Sequence, residues 1–335
     1  MQFLRKITWP ISLVYGLAVH VRNLLYDHHV FKSKSFDTPT ICVGNLSVGG
    51  TGKTPMIEFL ISRFQDKYQL AVLSRGYKRK SKGFQLGSKN SSVEQLGDEP
   101  FQIQMKYPKI IVAVDADRQN GISTLKKTTD PDLVLLDDAF QHRKVSPTFS
   151  ILLTTFSDPY FNDWYLPTGN LRDSKSASLR ADAIVVTKCP SKMSKEKMGF
   201  FKKQLNTPAD QMVLFATLTY DHTLYGNGAK LKLKDLRGKR FTLVTGIANP
   251  TPLIQYLEER DLAFEHLKFA DHHSFSRSEI ELLKKKPLVL TTEKDFVRLQ
   301  NKVEHLYYIR VAHQFIGNGE VQLMEAIADN IRPYC

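Results

Sequence analysis

With 335 residues, 42% hydrophobic and 24% charged, the chain has the make-up of a folded globular protein and is long enough for two cores, which excludes a disordered class. Its three cysteines, Cys42, Cys189 and Cys335, include no C-x-x-C pair, which argues against a disulfide framework or a zinc site and suits a reducing compartment. A formal charge of +13 asks for an anionic partner: nucleic acid, a membrane surface or a phosphorylated substrate. The basic runs at 78–82 and 284–286 carry no interleaved aromatics to stack on bases, so nucleic acid ranks last.

Arg5 and Lys6 open the chain ahead of an uncharged stretch, Ile7 to Val21, that holds Trp9, Leu13, Val14, Tyr15, Leu17 and Val19. A basic start and an apolar run resemble a secretory signal, but no small-x-small cleavage site follows and the run continues into Arg22-Asn-Leu-Leu-Tyr26. The stretch is also shorter than the ~20 residues of a membrane-spanning helix. Residues 1–30 therefore read either as an interfacial helix, with aromatics at headgroup depth and cations toward anionic lipid, or as a helix packed on the core.

The organising segment is Pro39-Thr-Ile-Cys-Val-Gly-Asn-Leu-Ser-Val-Gly-Gly-Thr-Gly-Lys-Thr-Pro55. Thr40 to Val43 is a β-branched apolar run, four glycines fall between Gly44 and Gly52, and Ile57, Leu60, Ile61 and Phe64 follow at helical spacing. Strand, glycine turn and helix N-terminus form the element that holds nucleotide phosphates through backbone N–H groups. Ser47, Val48, Gly49, Gly50, Thr51, Gly52, Lys53 and Thr54 are the candidate nucleotide-binding residues. Lys53 is placed to reach the β- and γ-phosphates and the Thr54 hydroxyl to bind Mg²⁺. Ser47 stands where G-x-x-x-x-G-K-[ST] has its first glycine, and Gly49 and Gly50 supply the backbone freedom instead.

Further apolar runs follow at 70–74, 109–114, 133–136, 151–154, 183–187 and 212–217, alternating with helical or loop stretches. That alternation predicts an α/β fold with a mainly parallel sheet covered on both faces, binding ligands at the carboxyl ends of its strands. Asp115, Asp137 and Lys188 all stand at such ends. Asp137-Asp138, after four apolar residues, suits a hard cation that takes one or two carboxylates, though an aspartate there can also cap a helix. Gly97-Asp-Glu-Pro100 offers a base for an acceptor hydroxyl, or an N-cap. Arg75, Arg118, Arg143 and Arg172 lie in polar turns, where a guanidinium fork suits phosphate. Lys188 ends a strand like one that reads guanine, yet Cys189-Pro190 follows with no aspartate in reach.

Residues 220–240 change character, with Lys230-Leu-Lys-Leu-Lys234 alternating as short exposed strands. A second alternation begins at Phe241, and Asp271-His-His273 at one of its strand ends could hold a carboxylate across a cleft. The expected organisation is a phosphate-loop domain at 31–219, a two-stranded linker at 220–240 and a smaller α/β domain at 241–335.

Seven stretches together carry a specific likeness: Gly44 to Thr54, Leu73-Ser-Arg-Gly-Tyr77, Gly97-Asp-Glu-Pro100, Leu136-Asp-Asp-Ala-Phe-Gln-His-Arg143, Leu166-Pro-Thr-Gly-Asn-Leu-Arg172, Asp271-His-His and Thr292-Glu-Lys-Asp295. In this order the chain resembles the tetraacyldisaccharide 4'-kinase family of lipid A synthesis over nearly its whole length, and Ser47 is itself typical of that family. The resemblance implies ATP-dependent phosphorylation of the 4'-hydroxyl of an acylated disaccharide 1-phosphate to lipid IVA. It further implies an active site between two α/β domains and peripheral attachment to the cytoplasmic face of the bacterial inner membrane, with no obligatory protein partner. Carried over by position, Lys53 and Thr54 hold phosphate and Mg²⁺, and Asp137, Asp138 and Glu99 surround the metal. Asp98 is the base, with His272 orienting it and raising its basicity, and His273 open as the alternative. Arg75, Tyr77, Asn170 and Arg172 contact substrate. Asn170 departs from the usual proline and Asp173 from the usual glutamate. Two other classes remain at this stage: a cytosolic sugar or nucleoside kinase, and a membrane-bound partitioning-type ATPase.

Overall fold

The apolar runs fold as strands of one mixed sheet, seen in a computed structural model that describes residues 7–227 and 229–334. Helix α1 (Trp9–Asp27) precedes β1 (Thr40–Asn45), α2 (Lys53–Phe64), β2 (Leu70–Ser74) and the short β3 (Gln85–Leu86). Then come α3 (Val93–Leu96), α4 (Asp98–Lys106), β4 (Ile111–Val114), α5 (Arg118–Thr128), β5 (Leu133–Asp137), β6 (Phe149–Thr155) and β7 (Ala183–Thr187). Helix α6 (Lys195–Leu205) leads to β8 (Met212–Gly226), β9 (Lys230–Lys232), β10 (Phe241–Thr245), α7 (Thr251–Glu258) and β11 (Phe264–Lys268). The chain ends with α8 (Arg277–Lys284), β12 (Val289–Thr292), α9 (Glu293–Leu299), β13 (Leu306–Phe315) and α10 (Gly319–Ile331). The α/β expectation is borne out. The parallel strands are buried on both faces, which is why they read as unbroken apolar runs.

Strand order is β11-β10-β12-β13-β8-β7-β6-β1-β5-β2-β4-β3, with β9 also on β8. The fifteen-residue β8 decides the geometry. Its first residues run parallel to β7, Ala183 opposite Met212, and its remainder runs antiparallel to β13, from Ala216 opposite Phe315 to Gly226 opposite Tyr307. Above β7 the vacated edge takes β9 in an antiparallel pair, Thr223 opposite Lys232. The residues read as a two-stranded linker thus include this pair, and β8 enters it without a break at position 220. Since β10, β11 and β12 run parallel to β13, they point against β7, β6, β1, β5, β2 and β4. Both sets of carboxyl ends therefore face one another across the crossing strand.

Two apolar layers sandwich the larger half, one under α2 and α10 and one under α5 and α6, and two more flank the smaller half. Helix α1 inverts the usual polarity. Ser12, Gly16, Val19 and Asn23 face the protein, while Trp9, Leu13, Val14 (70%) and Leu17 (66%) face outward. The Ser12 hydroxyl donates to Thr168, Asn23 to the buried Asp173 carboxylate, and Arg143 to Asp27 and the Asn23 carbonyl. Arg5 and Lys6 lie outside the described residues. Among the described residues no helix is long and apolar enough to cross a membrane.

The halves are also joined by buried charge. Lys106 of α4 lies 2.6 Å from both Glu58 of α2 and Glu293 of α9, and the two carboxylates keep it charged despite burial. One ammonium cannot neutralise both, so burial, reinforced by Glu58, pushes the Glu293 carboxyl up to about 7 from its ordinary 4.5. A carboxyl raised on folding gives its full stability below the unfolded value and loses it as pH rises through the folded one. Guanidinium unfolding midpoints should accordingly fall between pH 4.5 and 7, and Glu293→Gln should flatten that fall; an unchanged slope refutes the account.

Candidate active site

The phosphate loop is built from backbone held on every side. Ser47 bridges to Leu171, Val48 N–H donates to the Asn170 carbonyl at 2.8 Å and Arg172 N–H to the Leu46 carbonyl at 2.8 Å. Asn170 and Arg172, expected as substrate contacts, thus give the loop backbone bonds. Thr187 at the end of β7 donates to the Thr51 carbonyl at 2.8 Å. From the smaller half, His313 of β13 reaches the Gly52 carbonyl at 2.9 Å through Nε2. Burial pulls the His313 pKa down to about 4, so the ring is neutral and carries its hydrogen on Nε2. Gly52 caps α2 with φ at 90°, and a Cβ there would collide with the His313 ring. Lys53 and Thr54 open the helix. Among the described residues the Ser47 and Thr51 hydroxyls are buried without a partner, and Lys188 Nζ is the nearest group to the open side of Gly50.

Carboxylates gather where β5 ends. Asp138 is forked by Arg172, which also bonds Asn45 Oδ1, and Lys53 stands 3.7 Å from Asp138 and 3.3 Å from Asn45 Oδ1. Burial opposes ionisation of Asp138, but these cations hold its pKa down at about 2. Asp137 differs. Ser74 donates to its Oδ2 at 2.9 Å, while Oδ1 is buried with no partner among the described residues. Burial first, then the charges of Glu99 and Asp138, push it up to about 7. Two carboxylates expected together at a metal therefore stand in different states: Asp138 is neutralised by protein cations, and Asp137 is left wanting one.

Asp98 opens α4 and meets the smaller half. His272 Nδ1 lies 2.9 Å from its Oδ2, and Arg298 of α9 forks both oxygens, Nε to Oδ1 at 3.0 Å. His272 is the partner; His273 instead bonds Glu279 at 3.0 Å and stacks on Phe269. The expectation that His272 raises the basicity of Asp98 is corrected: burial works that way, but the hydrogen bonds from His272 and Arg298 outweigh it and hold the carboxyl well below its usual range. Tyr77 packs its ring edge against His272. Asp138, Lys188 and His272 all have left-handed φ at strand exits around the cleft, where strained backbone commonly marks function.

Other expected residues serve elsewhere. Asp115 caps its own turn through Asp117 N–H and Asn120, and Arg118 is buried, donating to the Asp115 and Asp137 carbonyls. Arg75 is exposed beside a cavity of about 330 Å³ whose walls include Tyr15, Arg22, Arg118, Asp138 and Arg172. Sequence reasoning missed Asn45, Lys294, Arg298 and His313. Lys294 lay inside the quoted Thr292-Glu-Lys-Asp295 stretch, and Arg298 follows one helical turn later.

The family model described as Tetraacyldisaccharide-1-P 4'-kinase matches residues 4–332. This chain belongs to that family. The tetraacyldisaccharide 4'-kinase of Flavobacterium johnsoniae is 47% identical, over 99% of this chain and 100% of the relative. That of Phocaeicola vulgatus is 44% identical over 98% and 96%. Among solved structures, LpxK from Aquifex aeolicus in complex with ATP superposes with a TM-score of 0.79 at 28% identity, covering 97% of this chain and 99% of that one. The tetraacyldisaccharide 4'-kinase relatives thus match this chain from one half of the sheet to the other.

His313→Leu leaves the Gly52 carbonyl without its donor, a loss of about 1–3 kcal/mol. Calorimetric titration should show ATP binding weakened by about tenfold or more, with His313→Gln, which keeps an N–H, recovering most of it. Equal affinity in the leucine variant would contradict the tie.

Proposed function

We infer that this chain is an ATP-dependent kinase that phosphorylates the 4'-hydroxyl of a tetraacylated glucosamine disaccharide 1-phosphate, the lipid A precursor, giving lipid IVA. The observation that carries the reading is the buried Asp137 carboxylate, whose Oδ1 has no partner among the described residues, near Lys53 and a phosphate loop, together with Asp98 of the same half, which His272 meets from the facing strand ends. On this reading the acceptor oxygen forms its bond to the γ-phosphorus as the β–γ bridge breaks, and the hydroxyl proton leaves through Asp98. A loose transition state asks for positioning and charge neutralisation rather than a strong base, which suits a carboxylate held ionised.

The donor set fits Mg²⁺. Thr54, Asp137 and Glu99 offer hard oxygens, and the orphaned Asp137 Oδ1 beside like charges is what a cation relieves. Bound there, Mg²⁺ neutralises charge on the phosphate oxygens. Among the described residues no group of three or more His, Cys, Asp or Glu forms a metal cage by itself, in keeping with an ion shared with phosphate and water. Residues 31–219 then act as the nucleotide lobe and 241–335 as the lobe that closes on it through the 220–240 segment.

The arginine-lined cavity beside Asp138 suits the anionic head of the acceptor, with Arg75 and Arg172 in its walls, while Tyr77 stands against His272 on the acceptor side of Asp98. Helix α1, which walls that cavity through Tyr15 and Arg22, supports attachment to the cytoplasmic face of the bacterial inner membrane. Its outward Trp9, Leu13, Val14 and Leu17 form a patch for the acyl boundary. A cytosolic sugar kinase has no use for such a face.

Incubation with ATP and acylated disaccharide 1-phosphate should add the mass of one phosphate, dependent on Mg²⁺; no mass gain refutes the activity. Lys53→Ala and Asp98→Ala should each lose about 10²-fold or more in turnover while unfolding like the parent chain. Removing residues 1–25 should weaken vesicle sedimentation more than ATP binding, and equal sedimentation by both forms would remove the membrane role from α1.

A further inference from the structure

We propose that α9 is the positioning element of the Asp98–His272 pair: Arg298 aims the Asp98 carboxylate and Lys294 selects the His272 tautomer that faces it. The inference rests on the reading of Asp98 as the group that receives the acceptor hydroxyl.

Lys294 and Arg298 are four residues apart and so share one face of the helix. Lys294 Nζ lies 2.9 Å from His272 Nε2 and 3.1 Å from Asp271 Oδ1. An ammonium has only hydrogens to give, so Nε2 must accept, and the single ring hydrogen of a neutral His272 stands on Nδ1. From there it points at Asp98 Oδ2, 2.9 Å away. Arg298 Nη2 also stands 3.1 Å from Nδ1, but with both groups donors its hydrogen goes to Asp98. The fork and the imidazole together fix the plane of the carboxylate and take both lone pairs of Oδ2 and one of Oδ1, leaving the other lone pair of Oδ1 for the acceptor.

The helix that presents these cations is itself fixed. Asp295, fully buried, accepts from Gly246 N–H at 2.8 Å and from the Thr292 hydroxyl at 2.8 Å, tying the first turn to the end of β10. Phe296 packs against Tyr308 of β13 with ring centroids 4.4 Å apart. Arg298 Nη1 also donates to the His273 carbonyl and pairs with Asp295 at 3.6 Å. A lysine at 298 would keep the charge but not the fork.

Steady-state kinetics on the full chain should show Arg298→Gln losing about 10²-fold in kcat, the scale of a small misplacement, with KM for ATP within about twofold. Arg298→Lys should fall between. In an Asp98→Asn background, Arg298→Gln should cost under about twofold more, because the residue acts through Asp98. Equal losses in the two backgrounds, or full turnover in Arg298→Gln, overturn the inference. Full turnover in Asp98→Asn alone would instead overturn the role of Asp98, and this inference with it. For Lys294, ¹⁵N NMR of His272 should report the Nδ1–H tautomer in the parent chain and a shifted tautomer population in Lys294→Met. An Nε2–H ring in the parent, or no shift in the variant, refutes the lysine's part.

Discussion

The double pairing of β8 is the constraint from which the rest follows. A parallel neighbour on its first residues and an antiparallel one on its last turn the two sets of strands against each other. Carboxyl ends of parallel strands are where α/β sheets bind ligands, since helix N-termini and short loops converge there. Opposing two such edges lets Lys53 and Asp137 come from one half and His272 and Arg298 from the other. Tie points flank the opening: His313 holds the Gly52 carbonyl, and Lys106 joins α4 to both α2 and α9.

Two of the cleft's carboxylates are matched by protein cations, and a third is not. Asp138 has Arg172 and Lys53, and Asp98 has Arg298 and His272. Asp137 keeps a buried oxygen with no partner among the described residues, and its neighbours Glu99 and Asp138 add to the cost of ionising it. A folded protein tolerates such a group where something arrives to complete it. Lys53 is held by Asp138 and Asn45, and Arg172 shares both of these partners, so Asp138 does not depend on Lys53 alone for its countercharge.

The parallel strands were legible because burial on both faces writes an unbroken apolar run, and Asp137 was legible because it ends one. The phosphate loop was legible because glycines, lysine and threonine are consecutive. The length of β8 was not, since Thr217 to Asp221 lies half-exposed and its mix of residues reads like a linker. Nor was Arg298, which meets a carboxylate 200 positions away through tertiary placement alone. Asn45 was read as part of the glycine turn and given no role, yet it ends β1 and collects Lys53, Arg172 and the Ser47 carbonyl. For Asp98 the residue was legible but its state was not: the histidine partner was read as raising its basicity, whereas the hydrogen bond from His272, joined by the unseen guanidinium, lowers its pKa.

Helix α1 shows how a surface feature connects to the chemistry. Composition revealed an apolar stretch but not which side of it faces the protein, and both readings were open. The structure buries the small and polar side, and the buried contacts lead inward. Asn23 holds Asp173; the next residue back, Arg172, holds Asp138 and Asn45; and those hold Lys53. Arg22 and Arg180 neutralise Asp173 from either side, so the fully buried carboxylate is a joint between α1 and the 170–172 segment that supports the phosphate loop. A helix with an outward apolar face is thus bonded through one carboxylate to the segment that supports the phosphate loop, so its placement and that of the loop depend on the same buried group. The arginine-lined cavity is walled by Tyr15 and Arg22 of that helix on one side and by Arg172 and Asp138 on the other, so the joint that carries α1 also shapes the space beside the carboxylates.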